Sequence, residues 1–212
     1  MIEEQWLVQF LETGAPVGTG VAFDIGANAG EWTGLLADRC GHVVAVEPDA
    51  RAFAVAKEKT RPCDMAINAA AADSDGTVTL YMRPSAAQTS LLVDHPIGAG
   101  GQADAPIVEQ IACRAITLDS LAEMAARAWG IDRVGFVKID VEGAEGLVLR
   151  GATSAAFAET RWLIEVHDRQ QEVEAELVRL GFTQVTHIKH PIRGAHPRHF
   201  WFYADKRGVP GQ

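Results

Sequence analysis

Acidic and polar side chains stand at the ends of five short apolar runs in this 212-residue chain. Asp24 lies at the end of the run that opens Val21-Ala22-Phe23, Glu47 follows Val43-Val44-Ala45-Val46, and Asn68 follows Met65-Ala66-Ile67. Asp140 follows Val134-Gly135-Phe136-Val137-Lys138-Ile139, while Glu165 and His167 end the run Trp162-Leu163-Ile164. Runs of this length and composition read as strands buried on both faces of a parallel sheet. Ligands of such sheets bind beyond the C-terminal strand ends. Taken singly, each group would read as a helix cap or a solvated charge. Five in the same place give one rim of carboxylates and polar groups.

The loop after the first run is Gly26-Ala27-Asn28-Ala29-Gly30, and Glu47 follows about 20 residues on, the spacing by which a doubly wound fold holds a ribose. Gly26 and Gly30 admit a ligand close to the backbone. Asn28 and Thr33, near a helix N-terminus, are placed to meet a ligand carboxylate together with unpaired backbone N–H groups. Glu47 suits the two hydroxyls of a ribose, and Asn68 suits an adenine edge. A pyrophosphate would ask for glycine at position 28, where Asn28 stands. Asp24 would repel a phosphate and attract an ammonium. Adenosine, ammonium and carboxylate without phosphate describe S-adenosylmethionine. The expected cofactor set is Asp24, Gly26, Asn28, Gly30, Thr33, Glu47, Asn68 and Asp140.

Methyl transfer from a sulfonium is one displacement, and most of the work is alignment. An alcohol acceptor also needs a base within reach. His167, with a reference pKa of about 6.5, is the first candidate. Asp140 is the second, with a carboxylate bonded to the next turn as its structural reading. Glu142 is the third; like Glu145 it opens a helix, where the dipole favours acidic residues anyway. His167 also has a structural reading, bonded to the following helix with Asp168 as its cap. Lys138 inside an apolar strand reads as the ion-pair partner of a rim carboxylate. Mg²⁺ on Asp140, Glu142 and Asp168 is a minor alternative, since no loop has ligand spacing.

These groups need a scaffold. Strand and helix patterns alternate along the chain, which predicts a mostly parallel sheet with helices on both faces. The expected strands are 21–26, 42–47, 65–67, 77–81, 108–116, 133–140, 161–167, 182–189 and 199–204. The helices fall near 30–40, 49–60, 118–129, 144–150 and 170–180, and an amphipathic helix over 2–13 precedes them. The last two strands leave no room for a crossover helix and form an antiparallel edge hairpin. The segment 83–106 is rich in Pro and Gly and reads as a solvated insertion or a lid. The stretch from His187 to His199 is basic on an acidic chain, and reads as a solvated tip or as a pocket for an anionic acceptor.

One domain suits the length. A net charge of −9 argues against a nucleic-acid partner. No apolar run is long enough to cross a bilayer, and Met1 to Gly14 has no basic residue, so no secretory signal is expected. The three cysteines match no zinc or CxxC spacing and read as reduced, in a cytoplasmic protein.

The runs Phe23 to Gly30, Val46-Glu47-Pro48, Thr117-Leu118-Asp119, Val137 to Glu145, Val148 to Ala152 and Ile164-Glu165-Val166-His167 resemble the FkbM family of S-adenosylmethionine-dependent methyltransferases, in order and rough spacing over about residues 20–170. Lys138-Ile139-Asp140-Val141-Glu142-Gly143-Ala144-Glu145 is the most specific element. The resemblance implies a class I methyltransferase fold, Rossmann-like, with a seven-stranded sheet, and O-methylation, often of a sugar or polyketide hydroxyl. The insertion and the His-rich tail depart from the family pattern, and acceptor choice is expected there. Two other readings stay open. One is a binding or interaction module on the same fold without turnover. The other is a nicotinamide oxidoreductase, disfavoured by Asn28 and the edge hairpin.

Overall fold

Nearly unbroken apolar runs make the central strands, and capping residues between them start the helices. The computed structural model describes residues 18–85, 89–93, 106–182, 185–189 and 199–204. The expected helix over 2–13, most of the 83–106 insertion and most of the His-rich stretch lie outside these residues. In chain order the strands are β1 (Gly18–Ile25), β2 (Cys40–Val46), β3 (Met65–Ile67), β4 (Ala70–Ala71), β5 (Gly76–Met82), β6 (Glu109–Ile116), β7 (Val134–Ile139), β8 (Arg161–His167), β9 (Thr186–Lys189) and β10 (His199–Ala204). The helices are α1 (Glu31–Ala37), α2 (Ala50–Lys59), α3 (Leu118–Trp129), α4 (Glu145–Arg150) and α5 (Gln170–Arg179).

The main sheet runs β3-β2-β1-β7-β8-β10-β9. Its first five strands are parallel, and β10 is antiparallel to both β8 and β9. The edge hairpin is therefore present, with its second strand inserted against β8. Alternation along β1 sends Ala22 to one side, with Trp32, Leu36, Val43, Phe136, Leu163 and Trp201. Phe23 and Ile25 go to the other side, with residues of α3, α4 and α5. Strand order reverses between β1 and β7, the topological switch point at which doubly wound sheets bind ligands.

The helix starts follow local chemistry. Asp49 caps α2 by accepting from Arg51 N–H, and Thr117 caps α3 by accepting from Ser120 N–H. Gly130, with φ of 68°, ends α3.

One feature was not legible in advance. The strands expected at 77–81 and 108–116 do not join the main sheet. They pair antiparallel as β5 and β6, from Gly76 opposite Ala115 to Met82 opposite Glu109. With the two-residue β4 they form a separate three-stranded sheet. Ala70, Leu80, Met82 and Cys113 give it a small core of its own. This sheet brings Ala70, Ala71 and Leu80 to the rim of the main one.

Candidate functional site

The ends of β1 and β7 touch, and glycine makes that possible. Asp140 N–H donates to the Ile25 carbonyl at 3.0 Å. A Cβ on Gly26 would lie 1.7 Å from the Asp140 carbonyl oxygen, and Gly26 has φ of 72°. Gly26→Ala therefore meets both backbone strain and a backbone clash. We expect it to cost more than about 2 kcal/mol in stability and to abolish cofactor binding. Urea unfolding and calorimetry measure the two effects separately. Gly30, with φ of 79°, is tight for another reason. A Cβ there would lie 2.9 Å from Ala56 Cα, so it packs α1 against α2 and does not line the cleft.

Glu47 is the best-prepared polar group on the rim. Its Oε2 accepts from Asn28 N–H and its Oε1 from Asp49 N–H, both at 2.8 Å. Asn28 sits at φ of 47°, a left-handed conformation that Asn tolerates better than most residues. Its contribution is thus a backbone N–H that aims Glu47. Asn68 donates its amide to the Glu47 and Pro48 carbonyls at 2.8 and 3.0 Å, fixing the same turn from the other side. Glu47 is only 7% exposed. Burial pushes its pKa up to about 7, against the N–H groups of Asp49 and Asn28 and the charge of Lys138.

Asp24 and Thr33, expected on the cofactor, point elsewhere. Both are fully buried, and Thr33 donates its hydroxyl to Asp24 Oδ2 at 2.6 Å. Lys138 Nζ lies 3.3 Å from Asp24 Oδ1 and 3.6 Å from Asp140 Oδ2, and donates to the Gly26 carbonyl at 2.8 Å. Burial disfavours the ammonium, but Asp24 and Asp140 outweigh it and hold the Lys138 pKa above its usual value. The ion pair expected for Lys138 is present, and it involves two carboxylates. Asp24 thus anchors the floor of the loop through Lys138 and Thr33, without reaching the cleft.

The cleft encloses about 620 Å³ including its open mouth. Gly26, Asn28, Glu47, Asp140 and Glu142 give it polar edges, and Ile25, Val46, Leu80 and Val141 are among its apolar walls. Thr89, Ser90 and Leu91 close one side. Ser90 donates its hydroxyl to the Glu142 carbonyl at 2.7 Å and bridges Tyr81 through the backbone, which ties this short segment to both sheets.

His167 is 1% exposed and lies behind the lining residues. Its Nδ1–H donates to Glu145 Oε1 at 2.7 Å, and its Nε2 lies 3.6 Å from Glu142 Oε2 and 3.9 Å from Glu165 Oε1. Burial opposes its charge, yet Glu142, Glu145 and Glu165 overcome this and hold the pKa well above the usual value. Glu145 occupies Nδ1 and the ring is not among the cleft's lining residues, so the geometry does not place His167 directly beside an acceptor hydroxyl as expected. Asp140 and Glu142 do line the cleft, 27% and 20% exposed at their side chains. Asp168 at φ of 64° and Glu142 at φ of 54° mark sharp turns at the ends of β8 and β7.

The sequence matches the methyltransferase FkbM domain over residues 24–188, which include every residue of the cleft described above. The chain belongs to the FkbM methyltransferase family. No curated protein matches it in sequence. Among solved structures, the C-terminal domain of precorrin-6Y C5,15-methyltransferase from Rhodobacter capsulatus is similar, with TM-score 0.51 and 13% identity over 95% of this chain and 87% of that one. A SAM-dependent methyltransferase from Aquifex aeolicus gives TM-score 0.48 and 14% identity over 95% of this chain and 87% of that one. The precorrin 8W decarboxylase of Methanobacterium thermoautotrophicum gives 0.46 and 16% over 98% and 90%. The first likeness shows the shared fold.

Two contributors to the site of this FkbM methyltransferase were missed in the sequence. Asp49 is fully buried, caps α2, orients Glu47 through its N–H and pairs with Arg51. Asp before a helical run was a readable cap signal, but its link to Glu47 was not. Ser90 and its neighbours carry no motif, and only their place in the Pro- and Gly-rich 83–106 segment, read as an insertion or a lid, pointed toward them. No described helix is long and apolar enough to cross a membrane.

Proposed function

We propose that this FkbM methyltransferase transfers the methyl group of S-adenosylmethionine to a hydroxyl oxygen of a small molecule or sugar. The observation that carries the reading is the cleft at the switch point, edged by Glu47 on one side and by Asp140 and Glu142 on the other. Each Glu47 oxygen accepts one backbone N–H and keeps a lone pair for one ribose hydroxyl. The apolar walls suit adenine and the methylene chain. Asp140 and Glu142 supply the proton acceptor that an alcohol needs as the C–O bond forms.

Asp140→Asn and Glu142→Gln each change little volume. If the pair serves this way, at least one should lower kcat by about 10²–10⁴-fold. Affinity for S-adenosylhomocysteine should change far less, and equal losses in kcat and affinity would contradict the role. The acceptor class is tested by incubating the enzyme with methyl-labelled donor and a panel of hydroxylated compounds, sugars first. Label in an ether supports the reading. Label only on nitrogen or carbon overturns it.

A further inference from the structure

The ends of β7 and β8 hold side chains that the methyl-transfer reading leaves without full use. One ring nitrogen of His167 and one carboxylate oxygen each of Asp140 and Glu165 lie within 4.8 Å of one another, and Nε2 is the nitrogen that Glu145 leaves facing Glu165. Donor atoms each about 2.1 Å from one ion are separated by about 3 Å when adjacent and about 4.2 Å when opposite. The 3.9 Å between His167 Nε2 and Glu165 Oε1 falls inside that span. The ring is also pre-aimed. Glu145 is fully buried, accepts His167 Nδ1–H at 2.7 Å, and is itself fixed by Gly143 N–H at 2.9 Å. Its other oxygen is buried with no hydrogen-bond partner among the described residues. A carboxylate on the far nitrogen is the arrangement that orients a metal-binding imidazole and raises its basicity.

We propose that His167, Asp140 and Glu165 form a binding site for one divalent transition-metal ion, with Glu145 as the residue that positions His167. One imidazole and two carboxylates favour Mn²⁺, Fe²⁺, Co²⁺ or Zn²⁺, because an imidazole ligand selects against Mg²⁺ and Ca²⁺. This differs from a Mg²⁺ site on Asp140, Glu142 and Asp168 in the ion and in two of the three ligands, Asp140 being common to both. Binding requires the Nε2 position to be free of its proton, which leaves to solvent as the ion enters. Asp140 lines the cleft, so the ion lies at its edge. The consequence for chemistry rests on the hydroxyl-methylation reading. There the ion acidifies the acceptor hydroxyl, and Glu142 remains to take its proton.

The test is a titration of chelator-treated full-length protein with Mn²⁺, read by calorimetry and by the electron paramagnetic resonance of free Mn²⁺. Wild type should bind one Mn²⁺ per chain, and Mg²⁺ far more weakly. His167→Ala and Glu165→Gln should each weaken Mn²⁺ binding by about 100-fold or more, and Glu145→Gln by about 10- to 100-fold. Glu31→Gln, at an exposed ion pair with Lys59, should leave it unchanged. S-adenosylhomocysteine binding by each variant reports that it is folded. That readout also separates failure of the metal site from failure of the cofactor site. No uptake of Mn²⁺ by wild type overturns the proposal. So does equal affinity in a folded His167→Ala or Glu165→Gln variant.

Discussion

Glu47→Gln should lower affinity for S-adenosylhomocysteine by about 100-fold or more, and should remove most of its pH dependence. Hydrogen bonds to a charged group are worth about 1.5–3 kcal/mol each, and a ribose diol makes two. The amide also turns a donor toward Asn28 N–H or Asp49 N–H, where the carboxylate has only acceptors. The pH dependence follows from burial, which raises the free Glu47 pKa to about 7. Ribose hydroxyls donate to the charged form, so binding favours it and releases a proton. Cofactor affinity should therefore rise from about pH 6 to about pH 8 and then level off. Stability of the free protein has the opposite slope. A raised carboxyl pKa contributes stability at low pH, above all below the unfolded value, and that contribution is lost as pH rises through about 7. Calorimetry in buffers of different ionisation enthalpy counts the released protons. Affinity that is flat with pH in wild type contradicts the role of Glu47.

The second large effect is on the fold. Lys138→Met should destabilise the protein by about 3–5 kcal/mol, because it strands the buried Asp24 carboxylate without its cation. For a chain of this size that corresponds to a fall in melting temperature on the order of 10 °C. Asp24→Asn added to Lys138→Met should recover much of the loss, since no buried charge is then left unpaired. Thermal unfolding of both single variants and the double variant tests this. Strict additivity of the two losses would show that the pair is not coupled.

The alternation of elements and the edge hairpin were legible because they depend on local periodicity and loop length. Glu47 and Asp140 were legible because a strand end fixes where a side chain points. What a neighbouring strand does to such a group was not legible. Asp24 also ends a strand, yet Lys138 from β7 and Thr33 from α1 close over it. His167 shows the same limit, since Glu145 and Glu142 reach it from the turn and helix after β7. The separate sheet of β4, β5 and β6 depends on pairing between residues more than 25 apart in sequence, and strand patterns alone do not say which sheet they join.

Calorimetric titration of the purified protein with S-adenosylhomocysteine and, separately, with NAD tests the central claim most directly. One S-adenosylhomocysteine per chain should bind with release of about half a proton at pH 7, where free Glu47 is half protonated, and NAD should give no heat. Binding of the dinucleotide in place of the thioether nucleoside would contradict the account.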